Sequence, residues 1–336
     1  MLEDRFKLET ERLKKSWSRY DRATLRDYLV RDVEDPRINV QSILTRHFLI
    51  ERLFGKRFDV VMEQELRFGL VMNWLLRLRK KLVKPGRLHA VLDALLAGED
   101  EAEGLEIPPY ISETFAALTV PNYICDLLCW APVETTDVPV PDYLMSTFQM
   151  IWREVLADEQ PQHISVLEPA CGSANDYRFI EAFGITELIG YTGFDLCEKN
   201  IRNARQMFPE AYFKVGNVLE IEAGEGEFDY CFVHDLFEHL SIEAMEVAIA
   251  EICRVTRKGI CAGFFNMQDG ERHIVRPVGD YYWNNLSMIE TKAIFERYAS
   301  AVQVIHVDTF LWSKFRCGDT NNKGAYTMDA NSVWIL

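Results

Sequence analysis

From His163 onward, short apolar runs alternate with amphipathic stretches, and this alternation limits the fold more than any other feature of the chain. The runs are "HISVLEP", "LIGYTGF", "AYFKVG", "FDYCFVH", "GICAGFF", "VQVIHV" and "SVWIL". Runs that are apolar almost throughout suit strands covered on both faces, and the helical stretches between them supply the cover. The expected fold is therefore α/β, a doubly wound, Rossmann-like parallel sheet. Ligands of such sheets bind beyond the carboxyl ends of the strands, so chemistry is expected just after each run.

The preceding part reads differently. Up to about Leu96, apolar residues recur at helical spacing, as in "RFGLVMNWLLRLRKKL", with few Gly or Pro to interrupt them. The acidic stretch "GEDEAEGLEIPP" breaks this pattern, and "SETFAALTVPNYICDLLCW" resumes it with Ser112 as the expected cap. A second break, "APVETTDVPVPD", holds three prolines and reads as an interdomain linker. The expectation is an all-helical domain over residues 1–138, which caps an active site or makes a homodimer contact, followed by the sheet domain over residues 139–336.

With 336 residues, 48% of them hydrophobic, the chain can bury two ordinary cores. Its start is too charged for a secretory signal, and no apolar run is long enough to span a bilayer, so a cytoplasmic protein without membrane attachment is expected. The eight cysteines include no C-x-x-C pair and several fall inside strand-like runs, as small reduced core residues do. A net charge of −15 argues against nucleic acid as a partner, because each phosphate approached adds repulsion. Residues 1–90 run the other way, with 21 Lys and Arg against 13 Asp and Glu. They read as solvated helix faces, or as a docking surface for an acidic partner.

At the strand ends, "VLEPACGSAND" places Glu168 before a turn with Ala170, Gly172 and Ala174 at every second position. Small residues there allow close approach of the backbone to a ligand. The next run ends in Asp195, about 20 residues on, where a carboxylate can take the hydroxyls of a ribose. "FDYCFVHDLFEHL" carries His234 at the end of the fourth run and His239 five residues later.

In this ordered set of motifs, the part from about residue 140 to 336 resembles the class I S-adenosylmethionine-dependent methyltransferases. "VLEPACGSAND" resembles that family's first motif, "GFDLCEKNIRNAR" its ribose-binding segment, "VGNVLEI" its adenine segment and "FDYCFVHDLFEHL" its fourth motif, while "EICRVTRKGI" resembles the helix and turn before the fifth strand. The first 140 residues resemble no family. The resemblance implies S-adenosylmethionine as cofactor, with its methionine end over Ala170, Gly172 and Ala174, Glu168 supporting that loop, and Asp195 and Leu196 at the ribose. Asn217 and Val218 fall at adenine, where the family commonly has an acidic residue in place of Asn217.

Methyl transfer to a hydroxyl calls for alignment and for removal of a proton, work that suits imidazole near neutral pH. His234 followed by Asp235 resembles the "HDW" segment of plant-type O-methyltransferases, in which the His is the base, so His234 is the first candidate catalytic residue and His239 the second. Asp235, Glu238 and His239 also make a D-x-x-E-H pattern similar to the metal-binding E-x-x-E-H of some relatives, although no metal is expected here. Tyr281, Tyr282 and Trp283, in the long segment after the fifth strand, are expected to pack against a small, flat or apolar acceptor. Two other readings stay open: methylation of RNA or protein docked on the basic N-terminal helices, and a non-catalytic binding protein on the same fold. No "NPPY"-like tetrapeptide follows the fourth run, which argues against amino-group methylation of nucleobases.

Overall fold

A computed structural model describes residues 35–81, 86–119, 145–317 and 323–333. The basic stretch before residue 35, the proline-rich linker and the expected boundary at 138/139 lie outside the described residues.

Seven strands form one sheet: β1 (Ser165–Pro169), β2 (Gly190–Asp195), β3 (Tyr212–Val215), β4 (Phe228–His234), β5 (Thr256–Phe264), β6 (Ala299–His306) and β7 (Tyr326–Val333). Their spatial order is β6-β7-β5-β4-β1-β2-β3; β7 runs antiparallel to both neighbours and the other pairings are parallel. The order reverses between β1 and β4, which is the switch point where such sheets open a ligand crevice.

Alternation along each strand sorts the apolar residues onto two faces. Val166 of β1, Phe232 of β4 and Cys261 of β5 join a core with the N-terminal helices, whereas Leu167, Cys231, Val233, Ile260 and Ala262 join one with α8 (Ile242–Val255) and α9 (Met288–Phe295). Neither side is left to water, which is why these runs carry so few polar residues.

The N-terminal helices are α1 (Val40–Phe54), α2 (Asp59–Lys81), α3 (Gly86–Ala97) and α4 (Pro109–Ala116). Asn39 caps α1 by accepting from the amides of Gln41 and Ser42. From that cap the helix runs along the sheet: Gln41 Nε2 donates to the carbonyls of Phe264 and Tyr326 at one edge, and Arg52 Nη2 donates to Asn331 Oδ1. Together with α5 (Thr147–Leu156), these helices share one hydrophobic core with the sheet. At its centre Glu65 of α2, fully buried, accepts from Arg46 Nε and Nη2, from Trp152 Nε1 and meets His47 Nε2 at 2.8 Å.

Two sequence expectations change here. The helix expected to start at Ser112 starts at Pro109, because proline fits the first helical position; Ser112 lies inside it. The last strand starts at Tyr326 rather than Ser332. Asp329 and Asn331 disguise "YTMDANSV", yet Tyr326, Met328 and Ala330 are buried between two neighbours, and tertiary pairing overrides the weak strand preference of the polar residues. The other helices described are α6 (Asn175–Glu181), between β1 and β2, α7 (Glu198–Met207), between β2 and β3, and α10 (Val307–Phe315), which links β6 to β7.

Candidate active site

The turn after β1 is wound in the left-handed region at Ala170 (φ 56°), Gly172 (φ 55°) and Ala174 (φ 66°). Glycine meets this demand at no cost, whereas each alanine carries strain of about 1 kcal/mol. The turn is tied down on the β2 side. Cys171 N donates to Phe194 O, and Gly172 N donates to Asp195 Oδ2 at 3.0 Å. Asp195 Oδ1 accepts from Cys197 N at 2.7 Å and from Asn200 Nδ2 at 3.2 Å. Burial raises the Asp195 carboxyl, and these three donors counter it.

Glu168, at the end of β1, is buried and accepts from the Tyr191 hydroxyl. Burial pushes its carboxyl well above the usual range, and the nearby Asp176 and Asp195 add to the shift. Three carboxyl groups thus crowd one turn, and each raises the cost of ionising its neighbours. Leu196 is half-buried beside Asp195, and Val218 is buried. Asn217 Oδ1 accepts from Leu219 N at 3.0 Å, leaving a second lone pair on that oxygen.

His234 ends β4. Its Nδ1 lies 2.8 Å from Asp176 Oδ2 in the first turn of α6, and its Nε2 lies 2.7 Å from Thr45 Oγ1 of α1. Burial alone would lower the imidazole; the Asp176 carboxylate outweighs it, with Asp235 and Glu238 adding, and the net shift is upward. A Cβ on residue 263 would collide with the ring, so Gly263 lets the imidazole lie against β5. Asp235 itself takes a left-handed turn at φ 52°, where the chain leaves the strand.

Beyond it, Phe237–His239 form one 3-10 turn. Glu238 is fully buried, and its Oε1 accepts from Phe265 N at 2.8 Å and Asn266 N at 3.3 Å, while Oε2 meets no hydrogen-bond partner among the described residues. Burial, with Asp235 nearby, pushes this carboxyl up to about 8. His239 Nδ1 meets the carbonyl of Tyr282 at 3.1 Å, and burial lowers its imidazole. Among the described residues no group of three His, Cys, Asp or Glu side chains converges to hold an ion.

The segment after β5 folds back as a hairpin, with Val278 paired to Tyr281 and Pro277 to Tyr282 around Gly279 (φ 57°). Asn284 locks its base: its amide donates to Glu238 O, its Nδ2 to Leu240 O, and its Oδ1 accepts from Arg276 N. Tyr281 and Trp283 gather with Phe265 around His239, at ring-centroid distances of 5.0 to 5.7 Å. Trp283 keeps 43% of its surface exposed, and Ile274, Val275 and Val278 of the same hairpin are also exposed. Tyr282 contributes its backbone carbonyl to His239 and is half-buried.

Residues 166–259, from β1 into β5, match the family model described as a methyltransferase domain. This stretch of the chain is similar to a methyltransferase domain. The left-handed turn with its cluster of carboxyl groups and the buried Asp195 fit S-adenosylmethionine as a cofactor.

Solved structures similar to this chain include a SAM-dependent methyltransferase from Methanosarcina mazei, 14% identical over 53% of this chain and 97% of that one, TM-score 0.38. Another is 1,6-didemethyltoxoflavin-N1-methyltransferase of Burkholderia thailandensis, solved with 1,6-didemethyltoxoflavin and S-adenosylhomocysteine, at 14% identity, 55% and 76% coverage and TM-score 0.39. Phosphoethanolamine N-methyltransferase 2 of Haemonchus contortus, solved with S-adenosyl-L-methionine, is 9% identical over 55% of this chain and 52% of that one, TM-score 0.39. No curated protein matches the chain.

Sequence reasoning missed three members of this site. Asp176 stands in the quoted first motif, but an acidic residue in a first helical turn reads as a partner of the helix dipole. Thr45 comes from 189 positions before His234 and carries no local signal. Tyr191 reads as a core aromatic, and only its position opposite Glu168 reveals the hydroxyl contact.

Proposed function

We propose that the protein transfers the methyl group of S-adenosylmethionine to an oxygen of a small-molecule acceptor, and that His234 receives the acceptor's proton. The observation that supports this reading is the 2.8 Å pairing of His234 Nδ1 with Asp176 Oδ2 at the carboxyl end of β4. A carboxylate on one ring nitrogen orients the imidazole and stabilises the charge it gains when the other nitrogen takes a proton. S-adenosylmethionine, when bound, supplies an electrophilic methyl group on a sulfonium. The chain's own task is then to align the nucleophile and take its proton.

Asp195, with Leu196 beside it, would hold the ribose hydroxyls, and Asn217 and Val218 would border adenine. The turn of Ala170, Gly172 and Ala174 would meet the methionine end, whose cationic groups suit Glu168, Asp176 and Asp195. The acceptor would lie toward Tyr281, Tyr282 and Trp283, with His239 held by the Tyr282 carbonyl as part of that wall. Residues 1–138 would close the acceptor side and exclude water, a role supported by the contact of Thr45 with His234.

The test has two stages. Calorimetry with the full-length protein should detect binding of S-adenosylmethionine and of its demethylated product. With an acceptor found by screening hydroxylated small molecules, His234→Ala should lower turnover by about 10² to 10⁴ while cofactor affinity stays near the parent value. Turnover near that of the parent would remove His234 as the base.

A further inference from the structure

We infer that helix α1 supplies a positioning residue to the active site: Thr45 Oγ1 accepts a hydrogen bond from His234 Nε2 while Asp176 Oδ2 accepts one from Nδ1, so the resting imidazole carries a proton on each nitrogen. The inference rests on the reading of His234 as the group that handles the acceptor's proton.

Counting protons supports the assignment. Thr45 Oγ1 lies 3.0 Å from the carbonyl of Gln41, which can only accept. A hydroxyl has one proton, so with that proton directed to Gln41 it offers only lone pairs to Nε2. An ionised Asp176 likewise only accepts. With the Thr45 proton on Gln41 and Asp176 acting as acceptor, both ring nitrogens donate, and the ring is then an imidazolium.

The surroundings agree. Asp176 faces the ring from α6, and Asp235 and Glu238 face it from the segment after β4. Across Thr45 lie the Cys261 thiol of β5 and, against that thiol, Asp329 of β7, whose carboxyl burial raises to about 6. Arg52 and Glu51 of α1 bear on Asp329. The groups that bear directly on the imidazole are acidic and favour its charged form.

The consequence joins helix α1 to the end of β4. An imidazolium cannot take a proton, so His234 can act only after Nε2 gives its proton to solvent and Thr45 yields its place. The acceptor hydroxyl and the Thr45 hydroxyl then compete for the same nitrogen. Thr45 thus fixes the ring's direction and sets when Nε2 becomes available.

The test is a side-chain ¹⁵N NMR titration of the full-length protein, with His234 assigned by the signal lost in His234→Gln. The parent should titrate above the ordinary value of about 6.5 and show two protonated nitrogens below that midpoint. Thr45→Val should lower the midpoint by about 0.5 to 1 unit, because the cation loses an acceptor, and Thr45→Ser should restore it. Asp176→Asn should lower it by about 1 to 3 units. An unchanged midpoint in Thr45→Val would overturn the inference, and a raised one would overturn it in favour of a hydroxyl that donates to a neutral ring. Should Thr45→Val not fold, the parent's ¹⁵N shifts decide the point: one protonated nitrogen at a pH below 6.5 overturns it. These readings need no acceptor, so they stand or fall separately from the turnover of His234→Ala.

Discussion

Gly172 donates its amide to Oδ2 of Asp195 at 3.0 Å, so the turn after β1 and the carboxylate at the end of β2 are one mechanical unit. Removing the side chain takes away an anchor of the turn and, in the proposed cofactor pose, the acceptor of the ribose hydroxyls. Asp195→Ala should weaken S-adenosylmethionine binding by about 1 to 3 kcal/mol, the range for lost charge-assisted hydrogen bonds. Equal affinity of parent and variant in calorimetry would place the ribose elsewhere.

Ala170 occupies the left-handed region with φ 56° and is only half-buried. Replacing it with glycine relieves the Cβ strain, and the greater freedom of glycine in the unfolded chain offsets part of that gain. Ala170→Gly should therefore raise stability by about 0.5 kcal/mol in urea unfolding. Ala174 is a poorer test, since it is fully buried and its methyl group fills space.

Glu65 is the common partner of Arg46, His47 and Trp152 in the N-terminal core. Glu65→Ala leaves the Arg46 guanidinium buried without its carboxylate, although Phe183 still stacks on it at 4.0 Å. A loss of about 3 to 5 kcal/mol is expected, as for breaking a buried ion pair from one side. Denaturant unfolding measures it, and a loss below 1 kcal/mol would mean that water reaches the guanidinium.

Glu238 has its carboxyl raised to about 8, so the folded protein holds a proton that the unfolded chain releases near pH 4.5. Folding therefore becomes less favourable as pH rises from about 4.5 to 8, and this effect levels off above 8. Glu238→Gln keeps an acceptor for the amides of Phe265 and Asn266 and cannot ionise. Its stability relative to the parent should improve across that window; a parallel pH dependence of the two proteins would refute the assignment.

The sequence by itself determined the sheet and the strand-end positions of the residues proposed to meet the cofactor. Strand alternation is a local property, and the turn at Ala170 to Ala174, Asp195 and Asn217 all follow their strands directly, where the carboxyl edge must place them. His234 was legible for the same reason, as the last residue of a buried run. Tertiary structure decided what those residues touch. Asp176 gains its meaning only when α6 turns back over β4, and Thr45 only when α1 lies along the sheet with its first turn at the carboxyl edge. The last strand escaped a local reading because its polar residues are tolerated by pairing on both sides, and the hairpin of Tyr281 to Trp283 acquires its place through the contacts of Asn284 with Glu238 and Leu240. Periodicity and turn chemistry act over a few residues; contacts between segments more than a hundred residues apart leave no such pattern, because either partner alone satisfies a simpler local explanation.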